Sequence, residues 1–159
     1  MKKGKVLALV LSLLMLASML SVTALARGYS TTSTKGDELQ YPQWDDYLSV
    51  VKTATVKASR SNGSIYLIPM PESGHGNLGN VRNGKTVYIV AKCNGYYFFM
   101  TEDGHLGWNG TKYFKVTGTA DWEDVLDLAD TQENYEIYGT GEFFYFLDYL
   151  YAYADGCLD

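Results

Sequence analysis

Asn94-Gly95 stands between two strand-like runs, TVYIVAKC at 86–93 and YYFFM at 96–100. Both central residues of a type I′ turn need positive φ, which Asn and Gly adopt most readily, so this dipeptide is the strongest short-range hairpin signal. Asp103-Gly104 follows at once and leads into HLGW at 105–108. Two consecutive antiparallel hairpins are therefore predicted. The flanking segments agree with them. LSVVKTATVKA at 48–58 partly alternates, IYLI at 65–68 is a short apolar run, and Asn83-Gly84 marks another turn. PMPESGHGNLGN at 69–80 carries two Pro and three Gly and reads as a long irregular loop between strands. Short strands and frequent turns predict a mainly β fold, a small closed barrel rather than layered α/β.

The first 26 residues read as a signal peptide. Lys2, Lys3 and Lys5 precede an apolar run from Val6 to Leu20, and Ala24-Leu25-Ala26 offers a cleavage site. The run is shorter than the ~20 residues a bilayer needs, so no stable membrane span is expected after cleavage. A secreted protein, extracellular or wall-associated, follows. Residues 27–46 are polar and read as a linker, 47–116 as the barrel and 117–159 as an extension. Charge divides along the same line: residues 116–159 hold eleven Asp and Glu and no Lys or Arg. That balance argues against a nucleic-acid partner. Fourteen Tyr, three Trp and six Phe exceed what a small core needs, so part of the aromatic surface is expected to face the extension or a partner.

GNVRNGKT at 79–86 matches the phosphate-loop pattern G-x-x-x-x-G-K-[ST]. A phosphate loop opens a helix whose N-terminus receives the phosphate. Here Val87-Tyr88-Ile89-Val90 follows, a strand sequence, so the match is a turn feeding a strand and no nucleotide is expected.

In order and spacing these pieces resemble the bacterial SH3-like domain of secreted and cell-wall proteins, over about residues 53–116. The resemblance is carried by Ile65 to Ile68, the Pro69–Asn77 loop, Leu78-Gly79, Asn83-Gly84, Thr86 to Ala91, Asn94-Gly95-Tyr96-Tyr97, Asp103-Gly104 and Gly107-Trp108. GWNGTKYF at 107–114 looks like the family's closing strand and short 3₁₀ turn, and Tyr96 stands where Trp is common. The resemblance implies a non-enzymatic module that binds a peptide-like ligand in the cell envelope, with cell-wall peptide foremost. Tyr66, Tyr96, Trp108 and Tyr113 are the candidate groove aromatics, joined by Glu72, His75 and Asn77 from the long loop. Each aromatic also has a plain reading as packing surface, Trp108 above all.

Two Cys and two His raise a thiol-hydrolase reading, but Cys93 ends a strand with no helix N-terminus to activate it. No catalytic group, metal or cofactor is expected. An even pair of cysteines in an exported chain makes a Cys93–Cys157 disulfide a candidate, with free thiols the alternative.

In the extension, Trp122, Val125, Leu126 and Ala129 follow helical spacing behind Asp121 as N-cap. Asp121, Asp124, Asp127 and Asp130 form no calcium loop and read as a solvated face. YEIYGTGEFFYFLDYLYAYADG at 135–156 reads as a strand, a Gly turn and a longer strand or helix, with a faint echo of the 88–104 hairpin. So aromatic a segment either covers the barrel or engages an exported protein, which makes an interaction or inhibitory module the alternative function.

Overall fold

The computed structural model describes residues 38–59, 61–74, 76–139 and 141–157. The signal segment, residues 27–37 of the linker and His75 lie outside the described residues. The described chain runs through β1 (Tyr47–Val56), β2 (Ser64–Leu67), β3 (Gly79–Arg82), β4 (Thr86–Cys93), β5 (Tyr96–Thr101), β6 (Leu106–Gly110) and β7 (Phe114–Ala120). Three helices follow: α1 (Trp122–Ala129), α2 (Gln132–Tyr138) and α3 (Gly141–Ala154).

The predicted hairpins are present. Asn94 has φ 49° and Gly95 φ 80°, the positive pair that the turn between β4 and β5 requires. Gly104 turns β5 into β6 with φ 85°. The strands form a five-stranded antiparallel sheet in the order β6-β5-β4-β1-β7, and β2 and β3 form a separate hairpin. The sheet is not closed into a barrel. Between sheet and hairpin, Ile68 and Trp108 exchange backbone hydrogen bonds of 2.9 and 2.8 Å. Gly107 allows the close approach there, since a Cβ on it would stand 2.8 Å from that of Leu67.

β5 shows why its sequence is almost continuously apolar. Phe98, Phe99, Met100 and Thr101 are all buried, although successive strand side chains point to opposite faces. Both faces of β5 are therefore covered. Phe98 and Met100 join Trp108, Val125, Leu126, Phe143, Phe146, Leu147 and Leu150 in one core on the helix side. Phe99 points the other way and meets Phe114, with ring centroids 4.9 Å apart. A bulge in β4 between Ile89 and Ala91 buries Val90 as well as both neighbours.

The helices belong to this core rather than to an appendage. Burying Val125, Leu126, Phe143, Phe146, Leu147 and Leu150 is worth on the order of 10 kcal/mol, as large as the whole net stability of a typical domain. α1 forms where its spacing predicts, burying Val125, Leu126 and Ala129, with Asp124 accepting from the Asp121 N–H at 3.4 Å. The strand reading and the hairpin echo at 135–156 are overturned: α2 and α3 occupy that segment. Phe143, Phe146, Leu147 and Leu150 recur at i, i+3, i+4 and i+7, so their burial requires a helix.

Polar groups lock this cover to the sheet. Asn134 is buried, and its Nδ2 donates to the carbonyls of Gly104, Leu128 and Ala129 at 3.1 to 3.2 Å. Tyr138 Oη accepts from the Leu106 N–H at 2.9 Å. Asp130 receives the hydroxyls of Tyr135, at 2.6 Å, and Tyr151. Residues 38–46, expected to be linker, also pack. Leu39 and Tyr41 lie against the core, and the Gln40 N–H donates to the Pro69 carbonyl at 2.8 Å.

Candidate functional site

β2 alternates buried Ile65 and Leu67 with outward Tyr66, which is 56% exposed. The same alternation that builds the core thus leaves one tyrosine face in solvent. The Asn94-Gly95 turn delivers Tyr96 at the start of β5, and the 3₁₀ turn Thr111–Tyr113 presents Lys112 and Tyr113. These residues and Asn77 of the long loop line an open groove of about 820 Å³.

Hydrogen bonds fix the groove walls. Asn77 Oδ1 accepts from the Gly79 N–H at 2.9 Å, and the Leu78 N–H donates to the Leu67 carbonyl at 2.8 Å, which tie the end of the loop to the hairpin. Asn109 is buried on β6. Its Nδ2 donates to the Tyr66 carbonyl at 2.7 Å while Oδ1 accepts from the Gly110 N–H at 2.7 Å, holding hairpin and sheet in register beneath the groove. The Thr111 N–H donates to the Gly95 carbonyl at 3.0 Å, joining the two walls that carry Tyr96 and Tyr113. Lys112 Nζ lies 4.9 Å from the centre of the Tyr113 ring, within cation–π range. Among the described lining residues Lys112 carries the sole formal charge.

Four of the seven residues singled out from the sequence therefore meet: Tyr66, Asn77, Tyr96 and Tyr113. Trp108 does not. It is buried in the helix-side core, and its indole N–H donates to the Gln40 carbonyl at 2.7 Å. Glu72 is not among the lining residues, and His75 lies outside the described ones. Lys112 and Asn109 were missed. The signal for both was GWNGTKYF itself, in which a turn straight after a strand must present its side chains beside that strand's end.

The remaining reactive groups lead elsewhere. Cys93 and Cys157 are free thiols, so the candidate disulfide is not formed. Burial, then a hydrogen bond with Asp46, pushes the Cys93 thiol up, which holds it protonated. Cys157 instead follows the C-terminus of α3, where its N–H donates to the Ala152 carbonyl at 2.9 Å. His105 is buried in the β5–β6 turn, and burial pulls its imidazole below the ordinary value against the opposite pull of Asp103 and Glu133. Its Nε2 stands 3.6 Å from Asp103 Oδ2. Among the described residues no group of three or more His, Cys, Asp or Glu is placed to hold a metal ion, and no helix is long and apolar enough to cross a membrane.

No family model, curated protein or solved structure matches the chain.

Proposed function

We propose that the protein is an exported, non-enzymatic binding module that takes a peptide-like ligand, foremost cell-wall peptide, in the groove around Tyr66 and Tyr96. Sheet and hairpin together make an SH3-like module whose sheet stays open, with the Ile68–Trp108 bridge where its two parts meet. One observation carries the reading: Tyr66, Asn77, Tyr96 and Tyr113, scattered along the sequence, line one groove. An extended peptide would lay apolar side chains on the tyrosine faces and bond its backbone to the loop's polar groups. Lys112 would meet a carboxylate, which favours a peptide with a free C-terminus or an acidic side chain.

The test is sedimentation with purified cell walls, comparing the protein with Tyr66→Ala, Tyr96→Ala and Lys112→Ala. Co-sedimentation that is lost in the tyrosine variants and weakened in Lys112→Ala supports the reading. No co-sedimentation of the unmodified protein, or equal retention of all variants, overturns it. A chain cut near Val116 is unsuitable, because it would strip the cover from Phe98, Met100 and Trp108.

A second reading, a protein-interaction face on the extension, is favoured by the exposure of Phe144 and Tyr151 on α3. A stoichiometric complex with another exported protein, broken by Phe144→Ser, would support it.

A further inference from the structure

The segment before β1 and the helix α3 enclose a second groove, of about 410 Å³. Its walls are aromatic: Trp44, Tyr47, Tyr145 and Tyr149 all line it. Two of these are left in solvent, Trp44 at 61% and Tyr145 at 76% exposure. Trp44 is nevertheless held in place. Its ring meets Tyr149 edge-on at 4.5 Å and 78°, Tyr149 stacks on Tyr47 at 3.9 Å and 19°, and the Tyr149 hydroxyl donates to the Trp44 carbonyl at 3.3 Å. An exposed aromatic face fixed by its neighbours is a preorganised contact surface, with little ordering cost left to bind against.

The charge of this groove has one sign. Glu142 lines it, and no Lys or Arg does among the described residues. Asp45 and Asp46 lie in the short 3₁₀ turn beside Trp44. Burial and this charge act together on the phenols nearby. Tyr41, Tyr47 and Tyr149 are all pushed up, first by burial and then, among other contributions, by Glu142 at Tyr41, by Asp46 at Tyr47 and by Asp45 at Tyr149.

We propose that this groove is a binding site for an organic ammonium group, held against the faces of Trp44 and Tyr145 and neutralised by Glu142. Aromatic faces carry negative quadrupolar charge and attract cations, Trp most strongly. A carboxylate on the same wall adds to that attraction, and the volume suits a small ligand or the head of a larger one. A neutral sugar would use the aromatic faces and ignore the field, while an anion would be repelled by it. Aromatic stacking and negative charge together select the cation. The ammonium is either quaternary or the primary amine of a lysine side chain, which share this chemistry. This site is separate from the Tyr66 groove, so its fate does not decide that of the peptide reading.

Calorimetric titration of the purified protein at constant ionic strength is the test. The probes are choline, its neutral isostere 3,3-dimethylbutan-1-ol, Nα-acetyl-lysine methylamide and methyl glucoside. Saturable binding of choline or the lysine derivative, about tenfold tighter than the neutral alcohol, is the expected result. Tyr145→Ala and Glu142→Gln should each weaken it about fivefold to tenfold. Both side chains lie at the solvent boundary, so circular dichroism should show the fold unchanged, and Tyr96→Ala should leave cation binding as it was. Preference between the two ammonium probes names the source. Equal binding of alcohol and cation, tighter binding of the glucoside, no saturable heat from any probe, or unaltered affinity in both variants would each overturn the proposal.

Discussion

The groove around Tyr66 and the groove around Trp44 are made of similar residues and built in opposite ways. In the first, tyrosines come from two strands and a 3₁₀ turn, and the charge is the cation Lys112. In the second, aromatics come from a helix and the segment leading into β1, and the charge is the anion Glu142. Turn chemistry builds the first wall by wall, and each wall is recognisable over a few residues. The second exists only because α3 lies beside a segment far earlier in the chain, as Tyr149 does beside Trp44, 105 residues before it. Walls made by local turns are legible before folding; which walls meet is decided by packing, in the first groove through the Asn109–Tyr66 bond and in the second through α3.

The sharpest way to break that comparison is at the joint between sheet and helices. Gly104 has φ 85°, and a Cβ on it would stand 2.8 Å from the Leu128 carbonyl oxygen and 2.9 Å from Asn134 Nδ2. Gly104→Ala should cost about 3 kcal/mol in urea unfolding, combining left-handed backbone strain with the clash. Gly84→Ala is its control, because Gly84 has φ 82° with nothing within 4 Å. There about 1 kcal/mol is expected from strain alone. Equal losses at the two sites would mean that the helical cover does not press on the β5–β6 turn.

Asn134→Ala should come next, at about 2 kcal/mol, since it leaves buried carbonyls without their donor. A deeper effect of the same substitution on the Trp44 groove than on the Tyr66 groove, read as amide exchange around each, would show that the joint serves the helical side first.

Acid sharpens the contrast in a smaller way. Burial holds His105 below its ordinary value of 6.5, so the unfolded chain binds the extra proton more readily. Its contribution is fully present above about pH 6.5 and is lost as pH falls through the lower folded value. Unfolding free energy should therefore drop between pH 7 and pH 5, and His105→Gln should flatten that slope. The carboxylate Asp130, pulled down first by Tyr135 and then by Tyr151, keeps its contribution to lower pH, so its loss belongs to a separate, more acid step.

Smallest of all in stability should be Tyr66→Ala and Tyr145→Ala, each within about 0.5 kcal/mol because both side chains are exposed. Their value is functional. Each should affect its own ligand and leave the other groove's binding intact.

How much was legible divides in the same manner. The Asn94-Gly95 and Asp103-Gly104 turns, the long Pro- and Gly-containing loop and α1 were read directly from residue types and spacing. Tyr66, Asn77, Tyr96 and Tyr113 came instead as candidates from the resemblance to the bacterial SH3-like domain, and the structure brings these four to one groove. Trp108, a groove candidate whose plain reading was packing surface above all, takes the packing reading: it is buried in the core, and its indole N–H is held by the Gln40 carbonyl. The segment at 135–156 was read as strand or helix because apolar runs this dense satisfy both periods; its Phe143, Phe146, Leu147, Leu150 stripe was present and unread.

The sequence by itself determined the turns, the strands between them, the helical start at Asp121 and the separation of positive and negative charge along the chain. These follow from what one residue's backbone and its nearest neighbours permit. Tertiary structure alone decided that β5 is covered on both faces, that the sheet stays unclosed beside its hairpin, that both cysteines are free thiols and that Trp44 meets Tyr149. An apolar side chain has the same reason to leave water whichever surface covers it. Which surface does so is settled only when distant segments compete for the same face.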